Sequence, residues 1–560
     1  MQLLESAARM YYDFLEQTGR SLESIPIARV SAMGTTIHLH VPRTIFTESL
    51  LFQVGKDCYA LDSADFAVQF DDKSGVLTIE ADEEFVQRVQ KAKRGDIELF
   101  SDLKFLVRAV IRFYASNRAQ PLFDPKRLQK IAAMLPREIP QIPHLDSHQN
   151  NALQVLFANP IAYIWGPPGS GKTKGVLLES LLFLLGQQKR VLLLAPTNNA
   201  LDQILNGILP QMQLRQYPLE CVFRLGIAGS DFLARYPQCC DYHAQKEQPN
   251  LFASKKSTKQ RMGEASILAM TLDGFIKRYE TIEDIAHIFL DEAPYTSLIK
   301  ALTLGYFAAP LTLLGDHKQL GPVCEADERE FVGERAIMRV WALSSIYAEE
   351  FGDDAPALLA KAANSAPPKL QKTACAQLLQ NYRYGQNLTD LLDSCVYHIG
   401  LRGQESPTEI LYIDSGRAAP IVGKQYQSAS EAAAIARLAP RLLQQEAKLL
   451  RKDCFAILTP FRLQRKAILQ ACPQLRNKDK VFTIHRSQGL EFDTIVFSPV
   501  LLHYYLTDSR CMSALQALNV AVSRARKQII LVCDVAMWRT NKGQFLERLL
   551  QNAKPLKEAS

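Results

Sequence analysis

Hydrophobic positions along this chain fall into successive rhythms. Leu3, Leu4, Ala7, Ala8, Tyr11 and Leu15 recur at helical spacing and predict an opening helix. From Ile27 to Ala81 the rhythm shortens. Ile37, Leu39 and Val41 alternate with polar residues, and Val76–Ile79 follows the turn Asp71–Gly75. That pattern predicts a small β-barrel or curled sheet. Ile97 to Tyr114 reads as a long helix with a wide apolar face.

From Asn159 onward, strand, loop and helix repeat. Buried strands are predicted at Ile161–Trp165, Val191–Pro196, Cys221–Leu225, Ser266–Met270, Ile288–Asp291 and Leu311–Gly315. A second series follows at Glu409–Ile413, Phe455–Thr459, Val481–Ile484, Thr494–Phe497 and Ile529–Cys533. Short apolar runs between helices predict parallel sheets covered on both faces. The expected fold is therefore α/β, with two such units in tandem. Residues 1–140 are expected to form the N-terminal helices and small barrel, and 141–345 the first α/β unit. Residues 346–375 are expected as a helical linker, including the Ala- and Pro-rich stretch 353–368, then 376–545 as the second unit and 546–560 as a tail.

Composition narrows the class. The 560 residues are 47% hydrophobic and 22% charged, which excludes a disordered chain. The formal charge of +7 permits a nucleic-acid partner without requiring one. The 11 cysteines include no C-x-x-C pair, and Cys239–Cys240 with His243 lacks a second ligand pair. No zinc site is expected, and the reading is a reducing, cytoplasmic setting. The most apolar stretch, Val176–Ala195, is broken by Glu179 and by Gln187–Arg190, so no membrane span is expected.

The strongest chemical signal is Gly166-Pro167-Pro168-Gly169-Ser170-Gly171-Lys172-Thr173. It fits G-x-x-x-x-G-K-[ST], after a predicted strand and before a predicted helix. The glycines let backbone N–H groups turn toward phosphates, and the helix N-terminus favours an anion. Lys172 would reach the β- and γ-phosphates, and the Thr173 hydroxyl would hold Mg²⁺. Asp291 and Glu292 end an apolar strand further on. Asp291 would hold the water shell of the Mg²⁺, and Glu292 would orient or deprotonate an attacking water. ATP and Mg²⁺ are the expected ligands.

Further motifs follow in a fixed order: Ala195-Pro196-Thr197-Asn198, Ala269-Met270-Thr271, Asp291-Glu292-Ala293, Gly315–Pro322, Asn381-Tyr382-Arg383, Thr459-Pro460-Phe461, Gln488–Asp493 and Asn519–Arg526. Over about residues 140 to 540 the chain resembles a superfamily 1 helicase. The branch is that of the nonsense-mediated-decay RNA helicase and its DNA-acting relatives. The resemblance implies two RecA-like domains with ATP between them. It implies that Gln149 reads the adenine, Gln319 senses the γ-phosphate, and Tyr382 stacks on the base. Glu491, beside Gly489, is implied to contact the ribose side. Arg383 and Arg524 are implied to act as arginine fingers from the second domain.

The resemblance also implies a single-stranded nucleic-acid track over Pro196, Thr197, Asn198, Thr271, Thr459, Pro460 and Thr483. The first 140 residues resemble the stalk and small barrel of that branch. Two departures stand out. Pro294 follows Asp291-Glu292-Ala293, and Asn381 stands where the family has Gln before Tyr-Arg. A basic stretch, Ser254–Arg261, remains as a candidate phosphate contact. An ATP-dependent 5′→3′ helicase or translocase on DNA or RNA is the leading reading, with a monomer expected. A nucleotide-switched clamp that does not unwind, and an ATPase subunit driven by a repair or defence partner protein, are the alternatives.

Overall fold

The computed structural model describes residues 2–41, 50–61, 66–71, 74–116, 119–136, 138–139, 141–226, 228–240, 258–361, 367–417, 425–451, 453–476, 478 and 480–556. The opening helix, Gln2–Thr18, buries Leu4, Ala7, Ala8, Tyr11, Phe14 and Leu15 on one face. Strands β1 (Leu22–Ile25), β2 (Arg29–Met33), β3 (Thr36–His40), β4 (Leu50–Val54), β5 (Asp57–Ala60), β6 (Ala67–Asp71), β7 (Val76–Glu80) and β8 (Ile97–Asp102) follow. They form two antiparallel four-stranded sheets, ordered β1-β8-β4-β5 and β2-β3-β7-β6, around a shared core that includes Phe52, Leu77 and Leu99.

Here one expectation fails. Residues 97–102 are not the start of a helix but the strand β8, with Leu99 opposite both Ile25 and Phe52. Ile97, Leu99 and Ser101 point inward while Glu98 is exposed. That period of two was hidden by the helical run beginning at Lys104.

The helix Lys104–Ala115 packs beside Gln2–Thr18, and together they dock on the first α/β body. Tyr11 stacks on Trp341 at 4.6 Å, and its hydroxyl accepts from Glu325 N at 3.0 Å. Tyr114 donates to Ile299 O at 2.5 Å. The buried Arg127 guanidinium donates to the carbonyls of Leu122, Phe307 and Ala309.

The first α/β body is a seven-stranded parallel sheet, ordered β11-β12-β10-β13-β14-β9-β15. Its strands are β9 (Ile161–Trp165), β10 (Val191–Ala195), β11 (Val222–Arg224), β12 (Ile267–Thr271), β13 (His287–Leu290), β14 (Leu311–Gly315) and β15 (Ala374–Gln377). Every residue of β9, β10 and β14 is buried, as a strand covered on both faces requires. The expected boundary at 375/376 falls inside β15, which pairs with β9. The first body therefore takes its seventh strand from beyond the connecting helix Ala348–Ala360.

A short parallel pair, β16 (Gln380–Gly385) and β17 (Arg402–Gln404), leads into the second body. That body is a six-stranded parallel sheet ordered β20-β19-β21-β22-β18-β23. It comprises β18 (Glu409–Asp414), β19 (Phe455–Thr459), β20 (Val481–Thr483), β21 (Phe492–Phe497), β22 (Ala525–Cys533) and β23 (Lys554–Pro555). The expected tail is part of this body: the helix Phe545–Gln551 buries Phe545, Leu546, Leu549 and Leu550, and β23 pairs with β18. The fold is thus α/β, with two tandem parallel-sheet bodies behind an N-terminal helix pair and small β unit. Among the described residues, no helix is long and apolar enough to cross a membrane.

Residues 254–257 of the basic stretch lie outside the described residues. Its last member, Arg261, donates to the carbonyls of Gln238 and Cys240 and sits over the Phe223 ring at 4.3 Å. It holds the fold together and does not face outward for phosphate.

Glu431, in the first turn of the helix Ala429–Leu449, is fully buried. One of its oxygens accepts from Ser498 Oγ and from Val500 N, and the other has no partner. Burial pushes its carboxyl up to about 8, against the lowering effect of those two bonds. The folded protein thus holds a proton that the unfolded chain releases near the ordinary value of about 4.3. Stability from this site is complete below that value and is lost as pH rises toward about 8. Thermal unfolding followed across this window is expected to show a decline that Glu431→Gln makes shallower.

Candidate active site between the two bodies

The phosphate loop leaves the end of β9. Lys172 turns back on it, donating from Nζ to Gly166 O at 2.5 Å and Pro167 O at 3.2 Å. Burial lowers its ammonium pKa, although Asp316, Glu292 and Asp291 oppose this. Ser170 is buried, and its hydroxyl has no partner. Gln149 caps its own helix reciprocally with Asp146 and donates to Ser170 O at 3.2 Å, so it forms the wall beside the loop.

The acidic pair sits at the end of β13. Thr173 Oγ1 donates to Asp291 Oδ2 at 3.0 Å. A hydroxyl and a carboxylate brought together this way are hard oxygen ligands suited to Mg²⁺. Burial raises the pKa of both Asp291 and Glu292, with Asp291 adding to the rise at Glu292. Glu292 has a left-handed backbone, φ 52°, and its N–H donates to Asp291 Oδ1 at 2.9 Å. Such strain concentrates at functional sites.

The second body reaches this loop directly. Tyr382 N donates to Gly169 O at 2.8 Å, and Asn381 Nδ2 donates to Pro168 O at 2.5 Å. Asn381 Oδ1 accepts from the N–H groups of Arg383 and Tyr384. Gly169 has φ 85°, and a Cβ there would lie 2.5 Å from Arg383 Cβ, so only glycine allows this approach. The Tyr382 hydroxyl donates to Asp146 Oδ2 at 2.5 Å, placing the half-exposed ring beside Gln149's helix.

Arg383 donates to Ser523 O at 2.7 Å and pairs with Glu491. Burial alone would raise the Glu491 carboxyl, but Arg383, Lys174, Arg524 and Arg526 hold it low. Arg524 is buried and donates to Gln319 Oε1 at 2.8 Å, to Val520 O at 3.0 Å and to Leu490 O at 3.4 Å. Burial is the main reason its guanidinium is pushed down to about 10. The predicted Lys172, Asp291, Glu292, Gln319, Arg383 and Arg524 thus converge on one cleft.

Two groups gained their roles only in three dimensions. Asp316 accepts from Trp165 Nε1, Gln319 Nε2, Lys318 N and Tyr397 OH. Asn519 donates to Tyr397 OH at 2.8 Å and to Lys318 O at 2.9 Å. Both stood inside sequence motifs, but nothing in the sequence tied them to Tyr397.

The residues predicted for the nucleic-acid track divide. Thr271 ends β12 and Thr197 follows the neighbouring β10 by two residues, and each caps the helix that follows, accepting from Gly274 N and Ala200 N respectively. Asn198 is held by Arg224, which donates to its Oδ1 at 3.0 Å. Pro196 and Thr197 line a cavity of about 1140 Å³ between the two bodies, together with Gln203, Glu292, His485 and Gly489. Thr459 and Pro460 differ: both are buried, and Thr459 Oγ1 lies 3.4 Å from Phe461 N, so they shape the loop and do not present a contact surface. Thr483 is half-buried, opposite Thr459 on β20. Gly489, φ 80°, faces Gln203: a Cβ there would lie 2.2 Å from its Oε1.

Two family models match the chain, each described as an AAA domain, over residues 144–249 and 368–536. A regulator of nonsense transcripts 1 homolog of Neurospora crassa is 24% identical over 74% of this chain and 41% of that protein. The DNA replication ATP-dependent helicase/nuclease DNA2 of Saccharomyces cerevisiae is 30% identical over 36% of this chain and 12% of that protein. By these matches the chain resembles the superfamily 1 helicases of this branch. It spans well under half the length of these relatives. Among solved structures, an arterivirus helicase shares 13% identity over 91% of this chain and 76% of that chain, with a TM-score of 0.38.

Removing Asn381 would strand the Pro168 carbonyl and two amides at the junction. Asn381→Ala is expected to lower stability by about 1–3 kcal/mol, read as an earlier midpoint in urea unfolding.

Proposed function

We propose that this chain hydrolyses ATP and uses the opening and closing of its two bodies to move along single-stranded nucleic acid and separate strands. The observation that carries this reading is that the second body brings the Arg383 side chain, from its Cβ, against the phosphate loop at Gly169 and the Arg524 guanidinium onto Gln319. Such guanidiniums stabilise charge on a transferring phosphoryl group only while the bodies are closed. Loss of that charge after hydrolysis would release the closure.

The chain's own groups fit the roles. Lys172 would exchange its two carbonyl partners for phosphate oxygens. Thr173 and Asp291 would hold Mg²⁺, which neutralises phosphate charge when bound. Glu292, made more basic by burial and Asp291, suits removal of a proton from the attacking water. Gln149 and Tyr382 suit the adenine, and Glu491 with Gly489 the ribose side. The track over Pro196, Thr197, Asn198, Thr271 and Thr483, with Thr459 and Pro460 shaping its second-body loop, suits sugar-phosphate contacts that carry little sequence information. By relation to its branch, movement is assigned 5′→3′, on DNA or RNA. Pro294 favours a second reading, a nucleotide-switched clamp. Its Cδ packs where a Cβ at Gly315 would approach to 2.2 Å, wedging the acidic motif against the end of β14.

The test is steady-state ATP hydrolysis with and without single-stranded DNA and RNA of matched sequence, at fixed salt. Stimulation by one polymer is expected. Glu292→Gln is expected to lower hydrolysis about a hundredfold or more while strand binding persists, and Lys172→Ala to abolish it. Variants that hydrolyse at the unaltered rate would refute the assignment. A strand-displacement assay separates motor from clamp: the clamp shows nucleotide-dependent binding and no displacement.

A further inference from the structure

Beyond β21, residues 498–511 form a loop that the nucleotide site does not use. Its base is strained. Val500 is buried and has φ 67°, a conformation that a β-branched side chain rarely adopts. The Glu431 carboxyl holds this turn through Val500 N and Ser498 Oγ.

The rest of the loop is tightly bonded. His503 O accepts from the N–H groups of Leu506, Thr507 and Asp508 at 2.9–3.0 Å. Thr507 Oγ1 accepts from His503 N and donates to Leu501 O, both at 2.7 Å. Gln544 fastens Asp508 and Ser509 from the helix side.

This rigid loop displays two bare rings. Tyr504 is 61% exposed and Tyr505 51%, more than any other large aromatic side chain among the described residues. They belong to a continuous aromatic run. Phe461, next to Pro460, meets Tyr426 at 5.1 Å and His503 at 5.7 Å. His503 stacks on Tyr504 at 5.1 Å and 27°, and Tyr504 meets Tyr505 edge-on at 5.2 Å. The run therefore begins at the loop carrying Thr459 and Pro460 and ends in solvent.

The charge around it selects what can lie there. Asp327 and Glu328 of the first body are near enough to add to the rise that burial and Tyr504 impose on the Tyr505 hydroxyl. Glu328 is paired with Arg339 at 2.7 Å, which leaves Asp327 as the carboxylate that disfavours phosphate there, so a strand would turn its uncharged bases toward the rings and its backbone away. Stacking on such rings tolerates any base.

We propose that Tyr504 and Tyr505 form a base-stacking platform for the single strand on the second body, at the exposed end of the aromatic run that starts at the buried Phe461. This rests on the nucleic-acid motor proposed above.

The experiment compares the full chain with Tyr504→Ala/Tyr505→Ala and Tyr504→Phe/Tyr505→Phe double variants. Fluorescence anisotropy measures binding of a labelled oligothymidylate and of an abasic strand of equal length. Stacking of this kind predicts at least about tenfold weaker oligothymidylate binding by the alanine variant. The phenylalanine variant is expected to bind like the unaltered chain. The unaltered chain is expected to prefer the strand with bases, and the alanine variant to lose most of that preference. Hydrolysis of ATP without nucleic acid should stay unchanged in both variants. Equal oligothymidylate affinity in the alanine variant and the unaltered chain, with strand-stimulated hydrolysis intact, overturns the platform while the motor stands. It would leave the two rings to a protein partner. An unaltered chain that neither binds a strand nor is stimulated by one overturns both.

Discussion

The centre of this molecule depends on one buried guanidinium. Arg524 leaves the second body and ends against Gln319 of the first, with carbonyls of its own body on its other nitrogens. Its environment is desolvated enough to lower its pKa to about 10, yet Glu292 and Glu491 are near enough to support its charge. Moving Arg524 away would leave the buried Gln319 Oε1 without its guanidinium partner. A buried polar group left unpaired is costly, so the two bodies are coupled through a contact that favours one mutual position.

Asp316 extends the same constraint. One carboxylate gathers Trp165, Gln319, the Lys318 amide and Tyr397, so the end of β14 and the second body share an acceptor. Asn519, on the helix that leads to Arg524, bonds both Tyr397 and the Lys318 carbonyl. Anything that shifts the Gly315–Gln319 turn must disturb Asn519 and Arg524 together. That makes the turn a two-sided contact between the bodies.

Much of this was legible in the chain before folding. Strands such as β9, β10 and β19 are buried on both faces, so each appears as an uninterrupted apolar run. The phosphate loop and the acidic pair are read from local chemistry, and folding brings Thr173 within 3.0 Å of Asp291. What stayed hidden was set by partners distant in sequence. Strand β8 carries a half-buried alternation that only β1 and β4 complete. Strand β15 joins the first sheet after a long excursion, which no local pattern announces. Thr459 looks like a contact residue at a strand end, but it is fully buried, with its Oγ1 turned to Phe461 N.

Asn381 shows how a departure from a family pattern becomes intelligible. Its short amide donates to Pro168 O while its oxygen collects the amides of Arg383 and Tyr384. The backbone on either side is close: Tyr382 N already bonds Gly169 O, and Gly169 admits Arg383 Cβ only because it has no Cβ of its own. A longer glutamine at this position would add a methylene where the two bodies are already in contact, so the loop would have to withdraw. The shorter side chain and the glycine therefore solve the same problem from opposite sides. Arg383 is brought to the phosphate loop by backbone geometry, and its guanidinium is left free to be aimed by Glu491 and Ser523 O.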